Sequence, residues 1–121
     1  MNAEVKADWV AALRSGEYTQ AEGKLFDPET GGYCCLGVLC NLAEKKGLIQ
    51  RQVDEADGTV WFGPSYTVLE DETVRTWAGL DSSNPDLPHP NGDDYLPGSA
   101  AGLNDNGFTF SQIADLIEKH L

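Results

Sequence analysis

The chain has few cysteines, and their arrangement excludes a disulfide scaffold. There are three cysteines, an odd number, and two of them, Cys34 and Cys35, are adjacent. Small secreted domains held by disulfides use even sets of spaced cysteines. We therefore expect reduced thiols and a cytosolic setting.

Positive charge is also scarce. Lysine and arginine number 8 and aspartate and glutamate number 20, which gives a formal net charge of −12. Binding to a nucleic-acid backbone or to an anionic membrane requires clustered cations. No apolar stretch approaches the roughly 20 residues of a transmembrane helix, and the first residues lack the basic and apolar regions of a secretory signal. We expect no direct nucleic-acid partner and no membrane partner.

The composition otherwise indicates a folded domain. The chain has 121 residues, 40% of them hydrophobic, and it includes 3 Trp, 4 Tyr and 4 Phe. A disordered acidic segment would be poorer in aromatic residues. The length fits one compact domain spanning residues 1–121.

Apolar periodicity predicts four helices, at residues 2–15, 35–46, 69–78 and 109–121. The second is apolar over most of its circumference, which is typical of a buried, central helix. Asn2 and Thr109 are the expected N-caps of the first and last helices, the latter within a capping box. The residues expected to line the core are Trp9, Leu13, Leu36, Leu39, Leu42, Trp77, Ile113 and Ile117.

The remaining segments predict a small amount of β-structure. A turn around Pro28 favours a hairpin that pairs residues 23–26 with 31–34. Residues 59–62 resemble a further strand. Residues 81–102, rich in proline and glycine, predict a long loop that is either functional or variable. The predicted fold class is therefore α+β, with about four helices around a central buried helix and a small antiparallel β-hairpin or sheet.

Cys34 and Cys35 are candidates for a catalytic nucleophile. A cysteine at a helix N-terminus has its thiolate stabilised by the helix dipole. A nucleophile also needs a histidine base with an orienting group. Neither of the two histidines, His89 and His120, precedes a recognisable strand or polar orienting residue in the sequence. The alternative is that the cysteines are small core residues. Their spacing does not suit zinc, and we expect no metal and no cofactor.

A ligand site is predicted around the first hairpin. Two cations flank it, and two tyrosines offer rings for stacking beside charge-assisted hydrogen bonds to an anion. A polar pair near the last helix could add to the site, although such residues most often build a turn. The alternative is surface decoration. The predicted ligand-binding residues are Arg14, Tyr18, Gln20, Lys24, Tyr33, Asn104 and Asp105.

Three segments resemble a family of small proteins found in many tailed bacteriophages and prophages. They run from Trp9 to Gln20 (WVAALRSGEYTQ), from Gly32 to Cys40 (GYCCLGVLC), and from Leu103 to Glu118, which contains LNDNG and IADLIE. The segments occur in the same order as in that family. The loop at residues 81–102 is longer than the family leads us to expect.

The resemblance implies a viral origin, a place in the host cytoplasm and an accessory role. Small phage accessory proteins commonly block host defence by binding. The first hypothesis is that the protein is non-enzymatic, forms a homo-oligomer and sequesters a nucleotide-derived immune signal. The alternatives are an acidic protein–protein inhibitor of a host factor and a cysteine-dependent hydrolase.

Overall fold

The computed structural model describes residues 1–90 and 98–121 of the chain. These residues contain five helices and four short strands. In chain order they are α1 (Ala3–Arg14), β1 (Phe26–Asp27), β2 (Gly32–Tyr33), α2 (Cys35–Lys45), β3 (Gln52–Val53), β4 (Val60–Trp61), α3 (Glu72–Ala78), α4 (Ala100–Asp105) and α5 (Phe110–His120). None of these helices is long and apolar enough to cross a membrane.

The ends of α1 and α5 follow the local rules of helix capping. The Asn2 side chain accepts hydrogen bonds from two backbone N–H groups of the first turn of α1. Gly16, just beyond that helix, has a φ of 77°, a left-handed conformation that glycine adopts without strain. At α5, Thr109 and Gln112 form the reciprocal hydrogen bonds of a capping box. These predictions are confirmed.

Helix α2 is the central helix of the fold. Every residue from Cys35 to Cys40 is buried. Helix α1 packs on α2, α5 and α3, and α4 packs on α2 and α5. The indole N–H of Trp9 donates to the Cys35 carbonyl at 2.9 Å, which joins the middle of α1 to the start of α2.

The strands form two separate two-stranded antiparallel sheets. In the first, β1 pairs with β2, with Phe26 opposite Tyr33. In the second, β3 pairs with β4, with Gln52 opposite Trp61. The α+β prediction is confirmed, and the first hairpin is shorter than its predicted range.

Helix α4 lies where the sequence predicts a loop followed by a turn. It has six residues and contains Gly102, so its intrinsic helix propensity is low. Contacts from elsewhere in the chain hold its start. Ser99 caps it by accepting from the Gly102 N–H, and Asn84 both donates to Ser99 and accepts from the Ala101 N–H. Within the predicted loop, residues 91–97 lie outside the described residues.

The predicted core is largely confirmed. Six of its eight residues are buried, namely Trp9, Leu13, Leu36, Leu39, Ile113 and Ile117. Leu42 and Trp77 are partly buried and pack against the outside of the same cluster.

Candidate functional site

The predicted ligand-binding residues fall into separate groups. Arg14 lies at the end of α1 and pairs with α5, its guanidinium 2.6 Å from Asp115 and 3.0 Å from Glu118. Hydrogen bonds from these two carboxylates raise the pKa of Arg14. Its positive charge is therefore already compensated, at a surface that Tyr18 and Tyr33 do not line.

Lys24 is exposed on the loop before β1. The pKa of Asp57, in the turn between β3 and β4, is lowered mainly by hydrogen bonds from Thr59 and to a smaller extent by the charge of Lys24. This places Lys24 within electrostatic reach of an acidic turn. Anion binding by Arg14 and Lys24 together stays a prediction.

Gln20, Asn104 and Asp105 form a second group, which connects parts of the fold. The Asn104 side chain is fully buried, and its oxygen accepts from the Gln20 amide at 2.9 Å and the Cys35 N–H at 3.1 Å. Its nitrogen donates to the Ala21 carbonyl and to Asp105. Gln20 also donates to the Phe108 carbonyl and accepts from the Phe110 N–H.

Tyr18 and Tyr33 do come together, as the sequence predicts. Their ring centroids are 5.3 Å apart and the rings are nearly perpendicular. Phe26 packs against Tyr33 at 4.8 Å. We name the surrounding group the aromatic–cation cluster, which comprises Tyr18, Phe26, Tyr33, Asn41, Glu44, Lys45, Arg51 and Phe62.

Arg51 is the cation at the centre of the aromatic–cation cluster. Its guanidinium carbon lies 4.6 Å from the ring centroid of Phe26, 5.3 Å from that of Phe62 and 5.6 Å from that of Tyr33. It donates to the Tyr33 hydroxyl at 2.7 Å and to both carboxylate oxygens of Glu44, at 2.7 and 2.9 Å. The hydrogen bonds to Glu44 raise the pKa of Arg51, so this residue is charged at any physiological pH.

Glu44 compensates that charge. Its burial would raise the pKa of the carboxyl group, but the hydrogen bonds from Arg51 and Asn41 outweigh this effect and lower the pKa below its usual value. The pair joins the C-terminal half of α2 to the segment before β3. Because each charge of the pair has a close partner, neither adds to the net charge of the cluster.

Lys45 is the second cation of the cluster. Its ammonium group lies 5.6 Å from the Tyr18 ring centroid and 3.3 Å from the Tyr18 hydroxyl. That hydroxyl in turn donates to Asn41 at 2.6 Å. Among the described residues, no carboxylate lies within ion-pair distance of Lys45. Lys45 is exposed and available to an anion.

The cluster can therefore offer aromatic surface and one uncompensated positive charge. Tyr18, Phe26, Tyr33 and Arg51 are all partly exposed. The sequence identifies the two tyrosines but not their cations. Lys45 sits in the last turn of a helix, where a cation is ordinary, and Arg51 lies outside any motif. Only the tertiary structure shows that both lie beside the aromatic rings.

The three cysteines are free and buried. Neither Cys34 nor Cys35 is exposed to solvent, since their exposed fractions are 2% and 0%. The Cys34 sulfur accepts from the Gly37 N–H and caps α2, while the Cys35 thiol donates to the Ala100 carbonyl. Burial raises the pKa of Cys34 to about 11, and it also raises that of Cys35. Both environments favour the protonated thiol over the thiolate that a nucleophile needs.

We expect the native thiols to react slowly with iodoacetamide at neutral pH, and quickly after denaturation, because the reagent attacks an accessible thiolate. Mass spectrometry of the alkylated protein measures this. Rapid labelling of the folded protein at Cys34 or Cys35 would instead support the hydrolase hypothesis.

Burial of the thiols also makes the stability of the fold depend on pH. Since unfolded thiols ionise at a lower pH than the buried ones, the free energy of unfolding should fall as the pH rises above about 8.5.

Among residues 1–90 and 98–121, no group of three or more histidine, cysteine or acidic side chains could hold a metal ion. The carboxylates of the turn between β3 and β4 are used in local contacts. Asp54 and Asp57 accept hydrogen bonds from backbone N–H groups two residues further along the chain.

Comparison with known proteins gives one relationship. No curated protein and no solved structure matches the chain. A family model described as "Domain of unknown function (DUF8296)" matches residues 1–121. Because that match spans the entire sequence, the chain belongs to the DUF8296 family.

Proposed function

We propose that this chain is a phage-encoded, non-enzymatic accessory protein that counteracts host defence by sequestering a nucleotide-derived immune signal. The resemblance of its three motif segments to tailed-phage proteins supports the viral setting. The observation that supports ligand binding is the aromatic–cation cluster, where two partly exposed tyrosine rings lie beside Arg51 and Lys45. In this proposal the protein acts in the host cytoplasm.

The cluster has the chemistry that a nucleotide needs. Stacking of a base on an aromatic side chain contributes about 1–3 kcal/mol and tolerates different bases. A charge-assisted hydrogen bond to a phosphate oxygen contributes roughly 1.5–3 kcal/mol. Tyr18 is held by Asn41, and Tyr33 by Arg51. Such bonds orient the rings before a ligand arrives, which lowers the entropy cost of binding.

Binding is favoured over catalysis by the state of the thiols. Cys34 and Cys35 are the nucleophile candidates from the sequence, and burial raises the pKa of both. Each sulfur also takes part in a structural hydrogen bond at the start of α2. These observations support core packing as the role of the two cysteines.

Lys45→Ala is expected to weaken ligand retention by about 10- to 100-fold, which corresponds to one charge-assisted hydrogen bond. The purified protein is incubated with a small-molecule extract from phage-infected cells and examined by native mass spectrometry. The wild type should retain a mass in the nucleotide range, and the same spectra report any homo-oligomer. Lys46→Ala is the matched control, because Lys46 is the next residue, is exposed, and lines a groove with Asn2, Glu4 and Trp77.

Two results would change the proposal. If Lys45→Ala retains the ligand and the double variant Arg14→Ala/Lys24→Ala loses it, the site lies at those two cations instead. If the wild type retains no small molecule, sequestration of a nucleotide signal is contradicted.

A protein–protein inhibitor is the second candidate, and the distribution of charge favours it. Among the described residues, carboxylates form ion pairs only at Glu44, Asp115 and Glu118. Most of the other acidic side chains are exposed. This surface would attract a basic host protein, and the affinity of such a complex would fall with added salt.

A further inference from the structure

We propose that the ligand of the aromatic–cation cluster is a nucleotide with a single negative charge, such as a cyclic phosphodiester, and that the cluster discriminates against polyphosphates. This inference rests on the proposed function, and it adds the charge of the ligand. It comes from the way the charges of the cluster are compensated.

The cluster has two cations, but only one is available to an anion. Glu44 holds Arg51 through both carboxylate oxygens, and no described carboxylate lies within ion-pair distance of Lys45. The cluster therefore has one net positive charge, located at Lys45. A ligand with one negative charge matches it.

A polyphosphate would meet repulsion at the same place. Its additional charges would lie close to Glu44, whose side chain is 16% exposed, or would have to displace Glu44 from Arg51. The formal net charge of −12 adds a repulsive field, which extends over about 8 Å at physiological ionic strength.

The rings supply the rest of the affinity. Tyr18 and Tyr33 are nearly perpendicular, and Phe26 is tilted by 54° from Tyr33. A planar base can contact such a surface without needing a second charge. The phosphate group would therefore determine the selectivity between ligands, and the base would provide the contact area.

Isothermal titration calorimetry on the wild-type protein tests this with three probes that share a base: adenosine, cyclic AMP and ATP. Cyclic AMP should bind at least about 10-fold more tightly than either of the others, the size of one charge-assisted interaction. Added sodium chloride should reduce its advantage over ATP, because screening weakens the repulsion. A parallel guanine series covers a different base.

Substitutions distinguish the contribution of Lys45 to binding from that of Arg51. Lys45→Ala should bring the affinity for cyclic AMP close to that for adenosine, while Lys46→Ala should leave the order of the three probes unchanged. Glu44→Gln keeps the shape of the side chain and removes its charge. It should release Arg51 and raise the affinity for ATP relative to cyclic AMP by about 10-fold.

The titration results distinguish a failure of the charge inference from a failure of nucleotide binding. If ATP binds the wild type as tightly as cyclic AMP, or more tightly, the inference about charge is overturned and nucleotide binding remains. If the adenine and guanine probes all fail to bind, both the inference and nucleotide binding at this cluster are contradicted.

Discussion

Asn104→Ala is expected to lower the free energy of unfolding by about 3–5 kcal/mol. The Asn104 side chain is 0% exposed, and it satisfies both the Cys35 N–H and the Ala21 carbonyl. Alanine would leave these buried groups without their side-chain partner, at a cost of roughly 1–3 kcal/mol each. It would also remove the partner of the Gln20 amide. Urea denaturation followed by tryptophan fluorescence measures the change.

Asn106→Ala provides the matched control for this experiment. Asn106 lies just beyond α4, is exposed, and donates to the Gly102 carbonyl at 2.6 Å. Because water can replace that bond, we expect a loss below about 1 kcal/mol. Equal effects from the two variants would show that the buried network is not a main source of stability.

Gly37→Ala is expected to destabilise the fold by about 3 kcal/mol or to prevent folding. In the interior of a helix, replacing glycine with alanine normally stabilises by about 1 kcal/mol. Here the added Cβ would lie 1.7 Å from the Leu25 carbonyl oxygen and 2.6 Å from its carbon. Both are backbone atoms, so α2 and the segment before β1 would have to separate. Expression level and the urea midpoint measure the effect.

Gly102→Ala is the comparison, since Gly102 is also in a helix and has no positive φ. Its added Cβ would meet only the Ser99 side-chain oxygen, at 2.8 Å. That hydroxyl can rotate away at the cost of a cap, about 1 kcal/mol. A Gly37→Ala protein as stable as the wild type would mean that α2 does not approach this backbone so closely.

The helix ends could be predicted from the sequence because they depend on local chemistry. The caps at Asn2 and Thr109 use hydrogen bonds within four residues. The buried nature of α2 also follows from its own composition, since an apolar surface on most sides leaves no face for water. Pro28 and the glycines after it place the first hairpin correctly.

Contacts between distant residues could not be predicted in the same way. Arg14 is predicted as a ligand cation, but its partners Asp115 and Glu118 are more than 100 residues away in the sequence. Arg51 lies in no motif, and its place beside Tyr33 depends on how β3 packs near the first hairpin. Helix α4 forms because Asn84 holds its start.

The polar motif residues can be identified from the sequence, but the sequence does not tell whether they bind a ligand or stabilise the fold. Gln20, Cys35 and Asn104 come from the three segments that resemble phage proteins. In the structure the Asn104 side-chain oxygen accepts hydrogen bonds from both Gln20 and Cys35. A pattern of polar residues at fixed places is compatible with a ligand site or with a buried network. Only burial distinguishes the two, and here Asn104 is fully buried.

The packing of α1 against α5 determines when this chain can fold during synthesis. Trp9 and Leu13 are buried in a core that also contains Ile113 and Ile117. Contacts over such a sequence separation form slowly, since a long loop must close first. On the ribosome, the apolar face that α1 buries against α5 would therefore stay uncovered until α5 has emerged. In that interval the nascent chain is most exposed to aggregation and to binding by chaperones.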